Sequence, residues 1–396
     1  MAGTPAYLQQ LVDRFDPEPF DAPNDRARVR LRVKNGAEYD VTIRGSEARL
    51  KPANEDAHPD ATLTAGENTW KQIGADIRGG MTAYGRGQLE IRHNLHIGVG
   101  LLAATSGMTD PGRLEFHRAK TKKGTTISYL EAGTGPQTVI CIHGLGGTKG
   151  SFLPTVAALA DEYRVIALDL PGFGDSDKPI AAPYDAAYFA QATAAFMDAL
   201  DIDKAHVVGN SMGGRVALEL GFDYPDRADK LALLAPSLAW LRERKWAGAL
   251  RFVRPELGLL QVAPRPIVEA VVQRMIPGAR DGWTAIGVDE FMRAYLQPRG
   301  RAAFYAAARN IYLEEPHGEK GFWTRLAALE PDSLFVWGKR DNVVPIRFAR
   351  HVEEVLPGAK HVEIDCGHVP QVERADDTHR AVRGFFAARE RAAATA

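Results

Sequence analysis

The chain follows two different patterns of apolar and polar positions, one over its first hundred residues and another beyond them. An amphipathic stretch over about Pro5 to Phe15 predicts a short helix. "RVRLRVKNGAEYDVTIRG" alternates on both sides of Asn35-Gly36, which predicts two strands joined by a type I′ turn. "DATLTAGENTWKQIGADIRGG" reads as a strand then a helix, "GQLEIRHN" as a strand and "LHIGVGLLAATSG" as an apolar helix. The expected product is a small α+β domain over residues 1–108, ending in the turn-rich linker "TSGMTDPGR".

From residue 109 to 396 strands alternate with helices. "TTISYLEAG", "QTVICIHG", "YRVIALDLPG", "AHVVGN", "KLALLAPS", "SLFVWGKRD" and "HVEIDCGH" are the expected strands, several of them unbroken apolar runs ending in Gly, Asp or Pro. Parallel strands buried on both faces have that character, so the second domain should be a doubly wound α/β sheet. The alternation stops once, from about Leu238 to Leu329, where Trp240, Trp246, Phe252, Trp283, Phe291, Tyr295, Phe304 and Tyr305 lie on mostly helical patterns. That interval should form a helical cap over the strand ends.

The candidate chemistry gathers at those strand ends. Gly209-Asn210-Ser211-Met212-Gly213 fits G-x-S-x-G, and its flanks "AHVV" and "MGGRVALEL" place Ser211 at a strand-to-helix turn. A serine hydroxyl needs a base, and the base needs an orienting acid. His368 in "CGHVPQVE" is the preferred base and Asp341 in "VWGKRDNVVP" the preferred acid, with Asp365 and Asp169 as the competing carboxylates. His143 is a second imidazole, but in "HGLGG" a turn-stabilising role suits it better. The amides of Leu145 and Met212 are the expected oxyanion donors, since acyl transfer builds negative charge on oxygen.

Composition removes some alternatives. Among 396 residues, 49 Lys and Arg face 50 Asp and Glu, so no basic excess points to nucleic acid. Cys141 and Cys366 form no CxxC pair and read as small buried residues. No secretory pattern and no apolar run of bilayer length is present, so a cytoplasmic location is expected. In "GLGGTKGS" Lys149 precedes Gly150, so the phosphate-loop order is not met. The acidic "PGFGDSDKP" is expected to shape a surface loop rather than hold a metal.

In order, "HGLGG", "DLPGFGDSDKP", "GNSMGG", "WGKRDNVVP" and "CGHVPQVE" resemble the α/β-hydrolase superfamily over about residues 114–237 and 330–390. A serine at position 211, instead of aspartate, argues against its epoxide hydrolases and haloalkane dehalogenases. The resemblance implies a carboxylesterase or lipase-like serine hydrolase that needs no cofactor and acts on a small apolar ester. Carbon-carbon bond hydrolases of ring-cleavage products are the second reading, although they usually carry Gly-Pro-Gly after the oxyanion residue. Thioesterase and lactonase chemistry stays open, as does a carrier protein that has lost activity.

The first hundred residues resemble the lipid-binding domain of the sterol carrier protein family, through "DATLTAGENTWKQI" and "GRGQLEIRHNLHIGVGLLAA", over about residues 15–107. In that family sheet and helices enclose an apolar tunnel, which implies a lipid or acyl ligand here. The competing reading is that Ile97, Val99, Leu101 and Leu102 fill a core, in a copy that is structural or that pairs two chains as a homo-oligomer.

Overall fold

The computed structural model describes residues 4–75, 80–81, 83–84, 86–106, 112–239, 245–262, 264–275 and 282–388. Two sheets organise them. The first has the order β3-β2-β1-β4-β5, with β1 Arg26–Val33, β2 Glu38–Arg44, β3 Glu47–Pro52, β4 Ala61–Ala65 and β5 Leu89–Arg92. Alternation in β1 turns Ala27, Val29, Leu31 and Val33 into the core and leaves Arg28 and Arg30 to meet the buried Asp40 of β2. Helices α1 (Ala6–Val12), α2 (Glu67–Ala75) and α3 (Leu95–Ala104) complete this unit.

The hairpin turn is not of the expected type. Asn35 has a φ of 60°, but Gly36 is not left-handed, and its amide donates to the carbonyl of Val33. A type I′ turn needs positive φ at both central residues; here Lys34 and Asn35 are the central pair.

Every residue of α3 is buried, because the helix lies between the two sheets. On one side it packs on β1, β4 and β5, and a Cβ at Gly98 would overlap Ile91. On the other side Leu95, His96 and Val99 meet Phe116, Leu130 and Leu153. Ile97, Val99, Leu101 and Leu102 are thus core residues, with 5% or less of their surface exposed.

The second sheet has the order β13-β12-β11-β10-β8-β9-β7-β6. Its strands are β6 Glu115–Lys120, β7 Thr126–Ala132, β8 Thr138–Ile142, β9 Arg164–Leu168, β10 Ala205–Asn210, β11 Ala228–Leu234, β12 Asp332–Gly338 and β13 Lys360–Ile364. β8 to β13 pair in parallel, while β7 is antiparallel to β6 and to β9. Chain order runs outward from β8 to β9 and then reverses to β10 on its other side. Sites in such sheets form where the order reverses, beyond the carboxyl ends of the strands.

Helices α4 (Leu153–Leu159), α5 (Ala186–Ala199) and α6 (Met212–Asp223) follow β8, β9 and β10. The 238–329 interval contains no strand among its described residues and carries α7 (Leu257–Leu260), α8 (Arg265–Met275), α9 (Gly282–Tyr295), α10 (Pro298–Tyr312) and α11 (Phe322–Ala327). Trp240, expected in the cap, lies outside the described residues. Helices α12 (Ala349–Val355), α13 (Pro370–Glu373) and α14 (Ala375–Ala387) close the chain. No helix among the described residues is long and apolar enough to cross a membrane.

Candidate active site

Ser211 stands between β10 and α6 with φ 54° and ψ −117°. That conformation costs a non-glycine residue of order 1–3 kcal/mol and persists only where the surroundings enforce it. The enforcement is visible: its amide donates to Leu234, and its carbonyl accepts from Arg215 and Ser237. The turn also needs glycines beside it, since a Cβ on Gly209 would overlap Gly213, and one on Gly213 the carbonyl of Ile142. Strand, turn and helix therefore lock the serine at the carboxyl end of the central strand β10.

Three side chains from distant parts of the sequence meet there. His368 Nε2 lies 2.9 Å from Ser211 Oγ, and His368 Nδ1 lies 2.8 Å from Asp341 Oδ2. The other carboxylate oxygen of Asp341 accepts from the amides of Val343 at 2.7 Å and Val344 at 2.9 Å. An ionised carboxylate only accepts, so His368 carries its proton on Nδ1 and turns a bare Nε2 lone pair to the hydroxyl. Asn210, which sequence reasoning did not single out, donates through Nδ2 to the carbonyls of Leu234 and His368. It ties the loop carrying His368 to the strand carrying Ser211, and no local pattern marks it.

The competing groups have other partners. Asp365 is exposed and pairs with Arg340. Asp169 is fully buried and holds Lys149 at 2.6 Å. His143 accepts from the amide of Leu170 at Nε2, so its Nδ1 donates to the carbonyl of Gly144. Burial holds its pKa below the usual histidine value, and as a neutral ring it braces the loop after β8. The "PGFGDSDKP" segment departs from the expected surface loop. Asp175 is drawn inward by Lys149, Arg293 and His96; against burial, which raises it, the positive charges of Lys149 and Arg293 hold its carboxyl well below the usual range.

Around Ser211 the candidate donors are close at hand. A Cβ on Gly144 would lie 3.2 Å from that of Ser211, which sets the Gly144-Leu145 backbone against the serine. Met212 opens α6, where the first amides have no partner within the helix. Over this loop lies the cap: a Cβ on Gly146 would come within 2.9 Å of Phe291 and 3.4 Å of Phe304. These two rings pack edge to face at 5.3 Å, and Tyr295 stacks on Phe291 at 5.1 Å. Beside α6 a cavity of about 200 Å³ is lined by Phe189, Met212, Val216 and Ile311, together with the buried Arg215 and its partly buried partner Glu314.

Among the described residues one group, Glu115, His117 and Glu131, brings metal-type ligand atoms together. Arg113 and Arg164 already pair with its carboxylates. Cys141 and Cys366 are buried free thiols, and burial raises the pKa of both.

A serine, aspartate and histidine beyond the carboxyl ends of β10, β12 and β13 of a mostly parallel sheet define a class, the α/β hydrolases. The family model of the alpha/beta hydrolase fold matches residues 137–375, and the chain belongs to that family. It is 34% identical over 267 residues to the dihydrolipoyllysine-residue acetyltransferase component of the acetoin cleaving system of Cupriavidus necator. That match covers 64% of this chain and 64% of the relative's length. It is 31% identical over 270 residues to a 2-hydroxy-6-oxononadienedioate/2-hydroxy-6-oxononatrienedioate hydrolase of Burkholderia vietnamiensis, covering 66% of this chain and 90% of that one. Among solved structures, a hydrolase from Pseudomonas aeruginosa PA01 superimposes with a TM-score of 0.56 at 25% identity, over 69% of this chain and 98% of its own. The five-stranded sheet, within residues 26–92, lies outside the family match.

Proposed function

We propose that this α/β hydrolase cleaves carboxylic esters of apolar acyl or aryl compounds through an acyl-enzyme on Ser211. The observation that carries the reading is the continuous relay from Ser211 Oγ to His368 Nε2 at 2.9 Å and from His368 Nδ1 to Asp341 at 2.8 Å. As Ser211 attacks the ester carbonyl, His368 takes its proton, and Asp341 favours the imidazolium that forms. The amides of Leu145 and Met212 receive the charge on the carbonyl oxygen. His368 then protonates the departing alkoxide, and a water that it activates frees the acid. Phe291 and Phe304 beside the oxyanion loop favour an apolar group on the acyl carbon.

The same relay serves carbon-carbon bond hydrolysis, and the Burkholderia vietnamiensis relative, named for that chemistry, supports this as the second reading. A series of p-nitrophenyl esters run beside a ring-cleavage dienoate separates the two. The first reading expects ester turnover with kcat/KM well above that for the dienoate; the reverse ranking selects the second. Loss of both activities in Ser211→Ala is expected under either.

For the N-terminal unit, the sterol carrier-like pattern of residues 15–107 supports descent from a lipid-binding module. The apolar face of α3, which would line a tunnel in such a module, is buried between the sheets. A structural copy fits that burial better than a lipid carrier.

A further inference from the structure

The N-terminal unit, the cap and the loop after β8 meet at one carboxylate. Glu290 of α9 has 5% of its surface exposed. Its Oε1 accepts from the amide of Leu95 at 2.8 Å, the first residue of α3. Its Oε2 accepts from Thr148 Oγ1 at 3.1 Å and from Arg293 at 3.0 Å. One turn-neighbour, Asp289, takes Arg92 of β5 at 2.6 Å and the amide of His93 at 2.9 Å. The next residue, Phe291, is the ring against Gly146.

We propose that Glu290 is a positioning residue for hydrolysis, through which the N-terminal unit fixes the oxyanion loop. The inference rests on the acyl-transfer reading of Ser211 given above. Thr148 lies three residues after Leu145 in a loop whose near end is a turn closed by Gly147 on Gly144. Its far end is fixed by Lys149 on Asp169 and Asp175; between these anchors the Thr148 carbonyl accepts from Ser151, and the Thr148 hydroxyl donates to Glu290. The opening amide of α3 is an orphan donor at the positive end of a ten-residue helix, which suits a carboxylate. Contact reinforces the bond: a Cβ on Gly150 would overlap Leu95, so α3 presses directly on the loop. Because Glu290 spans α3 and Thr148 with separate oxygens, displacement of either partner is transmitted to the other.

The test uses the full chain, with p-nitrophenyl acetate as substrate and a fluorophosphonate probe of Ser211. Glu290→Ala and Thr148→Val should each lower kcat by about 10- to 100-fold, the size expected when a preorganised oxyanion donor is misplaced. KM should stay within about twofold, because the short acyl group barely meets the cap. Glu290→Gln, which keeps one acceptor oxygen and turns its NH2 toward a donor, should fall between wild type and Glu290→Ala in kcat, and the double variant Glu290→Ala with Thr148→Val should lose no more than either single one. Thr148→Val is nearly isosteric and keeps the experiment decisive if Glu290→Ala does not fold. Folded variants with unchanged kcat, or losses that multiply in the double variant, would overturn the proposal. Failure of the acyl-transfer reading looks different: the wild-type chain would then not take the probe on Ser211 at all.

Discussion

Ser211 Oγ and His368 Nε2 stand 2.9 Å apart although 157 positions separate them in the chain. The pairing depends on the turns that follow β10 and β13, which β11 and β12 separate in the sheet, and on Asn210, which bridges them. It makes the imidazole orientation the most sensitive element of the site. Asp341→Asn should therefore leave the fold intact but lower kcat by about 10⁴-fold, because the amide can favour the wrong ring tautomer. Circular dichroism together with steady-state kinetics checks both halves of that expectation. Full activity with asparagine would mean that another group orients His368.

The glycines of the turn are predicted to be far less tolerant than others. A Cβ on Gly213 meets backbone oxygens of Ile142 and His143, which cannot move aside as a side-chain end can. Gly213→Ala should cost more than about 3 kcal/mol or abolish soluble expression. Gly287, in α9, has nothing within 4 Å of the added atom. There alanine should stabilise by about 0.5–1 kcal/mol through helix propensity. Urea unfolding of the two variants measures the contrast.

A third expectation concerns the seam between α6 and the cap. Arg215 is buried and meets Glu314 through both carboxylate oxygens while also pairing with Glu219. Its guanidinium packs over Phe222 and Phe322 at 5.6 and 5.0 Å. Glu314→Ala should destabilise by about 2–3 kcal/mol, below the full cost of breaking a buried pair because Glu219 remains. Thermal unfolding would register this as a clear fall in Tm, whereas an unchanged Tm would show the pair to be dispensable.

Acid stability carries a signature of buried histidine. Burial, helped by the nearby Arg383, lowers the pKa of His379 from 6.5 to about 4, and its Nε2 lies 2.9 Å from Thr155 Oγ1. Above pH 6.5 neither folded nor unfolded chain holds the extra proton, so this group leaves stability unchanged. As pH falls from 6.5 toward 4 the unfolded chain takes up a proton that the folded one refuses, and stability falls. By about pH 5 the loss from this residue is about 2 kcal/mol. His379→Gln should remove that part of the pH dependence in urea unfolding at about pH 7.5 and 5. An identical slope in both proteins would contradict the assignment.

The central strands were legible because strands covered on both faces must be apolar throughout, as in "QTVICI" and "KLALL". The two strands missed, β3 and β6, are edge strands rich in charge, "EARLKP" and "EFHRAK", with little buried surface to impose a pattern. Ser211, Asp341 and His368 could be brought together as candidates because each follows a recognisable strand and their chain order fits, and the structure sets the three side chains within hydrogen-bond distance. Asp175 was misplaced because its acidity reads as exposure, while the groups that draw it inward are Lys149, Arg293 and the imidazole of His96. Glu290 gave no sign for the same reason: the amide it receives belongs to Leu95, 195 positions away.

The most direct measurement is mass spectrometry of the protein quenched during turnover of p-nitrophenyl butyrate. The account predicts a butyryl increment on the peptide containing Ser211, accumulating in a variant slow in deacylation and absent from Ser211→Ala. Turnover of the ester by Ser211→Ala at the wild-type rate, or an increment on another residue, would contradict it.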